Sequence, residues 1–268
     1  MDEAQSVPGL VDTHTHLNHP RLFTHLAQVL KRAREAGVGE MVVVGYDLPS
    51  SSLAVELAEQ HGGLRAAVGV HPHDAGVMDD AAAERLRSLA KSEAVVAIGE
   101  TGLDFYRDLS PRDTQMAAFA AHLALADEMG LPVIVHCRAA QEELLGVLAS
   151  RAGGRSGGST LVWHCFDGSR EHAQRALDLG MVLGFGGMLT YGRAEELRRV
   201  AAEAPVDRIL LETDCPYLAP EPQRGRDNEP ANLAVVAECL AQARGESRER
   251  IATATTENAR RVFGLGER

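Results

Sequence analysis

Arg208-Ile209-Leu210-Leu211-Glu212-Thr213-Asp214-Cys215-Pro216-Tyr217-Leu218 is a short apolar run that stops at an acid and passes into a proline-bearing loop. A buried parallel strand that delivers a carboxylate to the rim of an α/β barrel has this form. Taken alone, Asp214 reads first as a turn acid or a helix cap. The same placement recurs, however. His14, His16, Glu100, His136 and His164 also stand at or just past the ends of apolar runs. A repeated placement points to a common site.

Outward from this stretch, apolar runs alternate with segments of helical periodicity. The runs at 9–16, 40–46, 64–71, 94–100, 132–137, 160–165, 181–185 and 208–214 read as strands. Helical segments fall at 20–36, 50–61, 79–91, 111–129, 140–151, 170–179 and 194–203. After the last strand come 230–243 and a short segment near 246–254. Strands each followed by a helix predict an α/β fold, a (β/α)₈ TIM barrel whose metal site lies at the C-terminal ends of its strands. Residues 1–268 then form one domain. A doubly wound open sheet would carry a Gly-rich turn after its first strand, and His14-Thr15-His16 stands there instead.

Local punctuation supports the helices. In 111–129 the residues Met116, Phe119, Leu123 and Ala126 recur at three- and four-residue steps, an apolar stripe to lay on a sheet. Ser110 before Pro111 reads as an N-cap, and Gly130 as the stop. The Gly- and Ser-rich stretch 151–159 enters the sixth strand from the helix side, so it is expected on the face away from the chemistry. The loop 215–229 leaves the eighth strand on the catalytic side and should wall the substrate.

Composition bounds the function. Of 268 residues, 45% are apolar and 24% charged, a globular profile. No leader and no membrane span is evident, and the cysteines show no metal-ligand spacing, so a reducing cytoplasm is the expected setting. A net charge of -11 argues against broad electrostatic wrapping of nucleic acid but not against a phosphate held at bound cations. Aromatic residues are only 4% of the chain, which argues for a short terminal segment of substrate and against a long stacking groove.

The residues at the strand ends have the chemistry of a dinuclear site. His14 and His16 lie about 6.5–7 Å apart along an extended strand and on one face, able to converge on one ion. An isolated pair of this spacing is as well read as one core and one loop histidine. With Asp12 beside them and the strand-end position, ligation is the better reading. Glu100 follows Ala97-Ile98-Gly99 and has two oxygens with which to bridge ions. His14, His16 and Asp214 are assigned one ion, His136 and His164 the other, with Glu100 between ions ~3.5–4 Å apart. Such a nitrogen and oxygen set takes zinc or manganese, and magnesium less readily. Asp104 is expected to orient a ligand or water. Cys137 and Cys165, adjacent to ligating histidines, point the other way and pack. His71 and His73 are assigned to the phosphate or leaving group. Arg138, Arg224 and Arg226 are assigned to its charge, and the remaining histidines, His122 among them, to structural or exposed places.

These stretches together resemble the TatD-type metal-dependent deoxyribonucleases, amidohydrolase-like TIM barrels. The resemblance is carried by Val11-Asp12-Thr13-His14-Thr15-His16-Leu17, Gly69-Val70-His71-Pro72-His73 and Ile98-Gly99-Glu100-Thr101-Gly102-Leu103-Asp104-Phe105. It continues through Val135-His136-Cys137-Arg138, His164-Cys165-Phe166-Asp167-Gly168, Leu211-Glu212-Thr213-Asp214, Asn228-Glu229-Pro230 and Asn258-Ala259. It implies a 3′→5′ exodeoxyribonuclease with two divalent ions, with the metal positions at His14, His16, Glu100, His136, His164 and Asp214. The implied partners are DNA ends, with RNA or tRNA as further substrates. Asp214 is the expected base. Asp167 departs from the family's usual serine and adds negative charge beside the site. The same metals would also serve ester or amide hydrolysis, as in a D-aminoacyl-tRNA deacylase. A non-enzymatic scaffold gives no reason to gather these ligands.

Overall fold

The computed structural model describes residues 9–152 and 158–266, so most of the Gly-rich stretch and the extreme termini lie outside the described residues. The strands are β1 (Leu10–Thr15), β2 (Val38–Val44), β3 (Leu64–Val68) and β4 (Val95–Asp104), then β5 (Val133–Arg138), β6 (Leu161–Trp163), β7 (Val182–Phe185) and β8 (Ile209–Leu211). They form one sheet of eight strands in sequence order, every neighbouring pair parallel. Between them run α1 (Pro20–Phe23), α2 (Leu26–Glu35), α3 (Leu48–Gln60), α4 (Asp80–Leu89), α5 (Arg112–Met129) and α6 (Gln141–Ala152). The series continues with α7 (Arg170–Asp178), α8 (Glu195–Glu203), α9 (Leu233–Arg244) and α10 (Arg248–Phe263).

The chain beyond β8 brings the sheet almost to closure. Asp214 donates its amide to the His14 carbonyl at 2.9 Å, His16 donates to the Cys215 carbonyl at 2.8 Å, and Thr15 bridges Cys215 in parallel. The result is a nearly closed barrel with helices outside.

Alternation along the strands sorts apolar residues into two cores. Val11, Val42, Ala67, Ile134, Val182 and Leu210 belong to an inner cluster to which every strand contributes. Ala259, Phe263 and Leu265, from the end of α10 and just beyond it, join this cluster and so plug the barrel. Leu10, Val43, Val68, Val135, Trp163 and Leu211 belong to the outer cluster, shared with the helices.

Several expected boundaries shift. Strand β3 stops at Val68, short of His71, and β8 stops at Leu211, short of Asp214. Strand β4 does not end at Glu100 but runs on to Asp104. The expected helix 20–36 is split: the Thr24 hydroxyl bonds the Pro20 carbonyl at 3.1 Å, and His25 leaves helical geometry at φ −126° and ψ 22°. Ser110 is not the cap of α5, because its hydroxyl donates to the His73 carbonyl at 2.7 Å and Pro111 takes the cap position. The segment expected near 246–254 is a full helix to Phe263, capped by Ser247 and ended by Gly264 at φ 61°. Asn258 ties that helix to the barrel by donating to the carbonyls of Val206 and Ile209 at 2.7 and 2.9 Å.

Candidate metal centre

Glu100 is buried, and it faces both groups of histidines. Its Oε2 lies 3.4 Å from His14 Nε2 and 3.8 Å from His16 Nε2. Its Oε1 lies 2.8 Å from His136 Nδ1 and 3.7 Å from both His71 Nε2 and His164 Nε2. Asp214 closes the ring, with Oδ1 3.4 Å from His16 Nε2 and 3.9 Å from the Nε2 atoms of His14 and His164. Residues as far apart in sequence as His14 and Asp214 therefore converge at the mouth of the barrel.

Glycine makes the approach of β4 and β5 close enough for this. A Cβ at Gly99 would stand 2.6 Å from the Ile134 carbonyl oxygen, and one at Gly102 would stand 2.0 Å from that of His136. Both glycines also have positive φ, which side chains disfavour. Asp214 itself takes φ 56°, a costly conformation for aspartate that its surroundings hold in place. Asp12 does much of that holding: its carboxylate accepts the Thr213 amide at 2.9 Å and the Thr213 hydroxyl at 2.6 Å. Asn228 adds a bond to the Thr213 carbonyl at 2.8 Å.

The orientation of the imidazoles fits cation binding. His16 Nδ1 donates to the Val44 carbonyl at 3.0 Å, which leaves Nε2 with a lone pair aimed into the site. His14 and His164 stack at 3.5 Å, and both rings aim Nε2 at the carboxylates. His136 hands Nε2 to Asp104 at 3.1 Å and turns Nδ1 to Glu100. Asp104 also meets His73 Nε2 at 3.0 Å and accepts the amides of Tyr106 and Arg107 at 3.0 and 2.7 Å.

Charge tells the same story. Burial opposes protonation of His164, but Glu212 and the other carboxylates around it push it up to about 10. Burial likewise opposes charge on His136, while Asp104 and Glu100 push it up to about 9. Glu100 is held well below the usual carboxylate range against its burial, chiefly by His71 and His136. These buried carboxylates demand positive charge at their centre, and the donor set suits a divalent cation. His14, His16 and Asp214 form one cluster of ligand range, and His71, Glu100 and His136 another.

Around the ligand ring two residues stand differently from expectation, and one was missed. His71 joins the ligand cluster itself, with Nε2 3.4 Å from His136 Nδ1. Cys165, assigned to packing, comes within ligand range of His164 and Asp214, although burial holds its thiol far above the usual range. Glu212 was missed: fully buried, it lies 3.1 Å from His164 Nδ1 and accepts the Cys165 amide. Its signal was a second acid directly after the apolar run of β8, two residues before Asp214.

The site opens into a cavity of 540 Å³ whose walls include Tyr46, Arg107, Arg138, Asp167 and Tyr217. His71 and His73 line it from the β3 side. Arg107 was not singled out from sequence. Arg224 and Arg226 do not line this cavity. Arg224 lies over the Tyr191 ring at 4.4 Å and pairs with Glu221 at 3.7 Å, while the Arg226 amide bonds the Gln223 carbonyl at 3.1 Å. Among the described residues, no helix is long and apolar enough to cross a membrane.

The family described as TatD related DNase matches residues 11–264. The chain is 42% identical to the uncharacterized metal-dependent hydrolase YabD of Bacillus subtilis, over 96% of this chain and 99% of that one. It is also 42% identical to the 3′-5′ ssDNA/RNA exonuclease TatD of Klebsiella pneumoniae, over 89% of this chain and 91% of that one. Among solved structures it is similar to the TatD homologue YJJV of Escherichia coli K12, with TM-score 0.90 and 33% identity over 97% of this chain and all of that one. The family match begins in β1 and ends just past α10, so it takes in every strand end that carries a ligand, and the chain belongs to the TatD related DNase family of metal-dependent hydrolases.

Proposed function

We propose that the chain, a single hydrolase domain over residues 1–268, is a cytoplasmic 3′→5′ exonuclease that cleaves phosphodiester bonds at DNA ends, with RNA as a further substrate. The observation that carries this reading is the position of Glu100, one carboxylate addressing two donor groups at once. The activity in the name of the exonuclease relative, 42% identical over 89% of this chain, supports the choice of bond.

His14, His16 and Asp214 would hold one divalent ion and His136 and His164 another, with Glu100 shared between them. Zinc, manganese or magnesium held there would acidify a water and offset phosphate charge. Asp214 accepts the proton of the attacking water. Arg138 and Arg107, on the cavity wall, meet the non-bridging oxygens. His71 and His73, on the β3 side, meet the leaving oxygen. Asp104 keeps His136 and His73 in their orientations, and Glu212 does so for His164.

Turnover on 5′-labelled single- and double-stranded DNA and on RNA, with Mg²⁺, Mn²⁺ or Zn²⁺ against a chelator, tests this directly. Stepwise shortening from the 3′ end is expected, lost on chelation. Silence on every nucleic acid, with release of the amino acid from D-aminoacyl-tRNA, would overturn the reading in favour of ester hydrolysis.

A further inference from the structure

The chain has 4 tyrosines: Tyr46 and Tyr217 line the metal cavity, Tyr106 lies under Arg138, which lines it, and Tyr191 is held by a hydroxyl bond to the loop after β8. Tyr46 follows β2 and Tyr217 follows β8, and both line the cavity. Tyr106 follows β4 directly, two residues past Asp104. Tyr217 is 45% exposed and Tyr106 66% exposed, so each presents aromatic surface to a ligand.

Each exposed ring already carries a guanidinium on one side. Arg21 lies over Tyr217 at 5.1 Å, and Arg138 over Tyr106 at 4.0 Å. Arg21 is steered there by Asp227, at 2.6 Å, whereas Arg138 has no ion pair among the described residues and keeps its charge for a ligand. Tyr46 and Tyr217 also flank His16, with ring centroids 5.5 and 6.0 Å away, and His19 at 6.5 and 5.9 Å. Tyr191 is a different case, because its hydroxyl donates to the Ala219 carbonyl at 3.1 Å and it braces the loop.

Resting on the reading of the chain as a nuclease, we propose that Tyr217, with Tyr46 as a second wall, and Tyr106 are stacking sites for two unpaired nucleobases on opposite sides of the metal centre. A ring exposed on one face with an arginine on the other offers a flat π surface and a nearby cation for the adjoining phosphate. The low aromatic content of the chain therefore understates its capacity for bases, since the tyrosines are concentrated where a strand would enter. Within a duplex the faces of a base are covered by stacking on its neighbours, so a strand whose bases can unstack is preferred.

The test is binding. A 5′-labelled hexathymidylate with phosphorothioate linkages, which resist cleavage, is titrated by polarisation with Zn²⁺-loaded protein and compared with an abasic hexamer of the same backbone. Wild-type protein is expected to favour the base-bearing strand by at least about tenfold. Tyr217→Ala and Tyr106→Ala should each weaken the base-bearing strand about tenfold and leave the abasic strand unchanged, with Tyr→Trp at either position restoring binding. Equal affinity of the wild type for the two strands, or equal losses on both strands in the alanine variants, would overturn the proposal. A preserved base preference with no shortening of unmodified DNA or RNA by any metal would sink the nuclease reading and leave the stacking sites standing.

Discussion

Asp104 Oδ2 lies 3.1 Å from His136 Nε2, and this one contact decides which nitrogen of His136 faces Glu100. The carboxylate is itself fixed by two backbone amides and by His73, so it cannot swing away to follow the ring. Replacing it with asparagine keeps the shape but permits a donor to face Nε2, which favours the wrong tautomer. Asp104→Asn is expected to lower metal affinity by roughly 10–100-fold with little change in fold. Metal content after dialysis against buffered zinc measures it, and wild-type affinity in the variant would remove the orienting role.

Asp214 and Glu100 make separable predictions. Asp214→Asn removes the proton acceptor and should cut turnover by roughly 10²–10⁴-fold. Glu100→Gln replaces two equivalent oxygens by one oxygen and an amide, so it should lose the sharing of ions: bound metal is expected to fall toward one ion per chain. Metal stoichiometry by mass spectrometry and turnover on labelled DNA separate the two. Full activity in either variant would refute its assigned part.

Much of this site was legible because the strand ends announce themselves: an apolar run broken by histidine or acid, with a glycine-ended helix before it, is a local pattern. What was not legible depended on packing between distant segments. Gly99, Thr101 and Gly102 look like the end of a strand, yet β4 continues through them because Gly102 fits against the His136 carbonyl on β5. The threonine-rich run 253–256 is a weak helix former, and α10 is held instead by burying Ile251, Ala259 and Phe263. Glu212 was hidden by its neighbour Asp214, since both follow the same apolar run and only the fold separates their partners. Arg224 belongs to the loop 215–229 on the catalytic side, but that loop folds it onto Tyr191.

Gly102 gives a stability test of the β4–β5 approach. An added methyl would overlap the His136 carbonyl and would sit at φ +144°, so β5 and its ligand must both shift. Gly102→Ala is expected to cost at least about 2–3 kcal/mol and to weaken metal binding with it. Gly146, inside α6 with nothing near its added Cβ, is the matched control, where alanine should stabilise by up to about 1 kcal/mol. Thermal melts of the two variants should move in opposite directions, and an unchanged melt for Gly102→Ala would show that β5 yields freely.

His122 sets a pH dependence away from the metals. It is fully buried in α5, accepts the Val70 amide at Nε2 (3.0 Å) and donates from Nδ1 to the Ala118 carbonyl (2.7 Å). Both bonds require the neutral ring, and burial lowers its pKa from 6.5 to about 4, with the Ala118 bond opposing. Because the folded value is depressed, the unfolded chain binds the extra proton between pH 6.5 and 4. Stability is therefore complete above about pH 6.5 and falls as pH drops through that window, by about 3 kcal/mol in all. Val70 adjoins His71, so the loss would loosen the β3 rim of the cavity before the chain unfolds. Urea unfolding of the chelated protein and of His122→Gln, compared from pH 7.5 to 4.5, isolates the effect: the wild type's advantage should shrink steadily, and parallel curves would show that this histidine does not titrate as its burial demands.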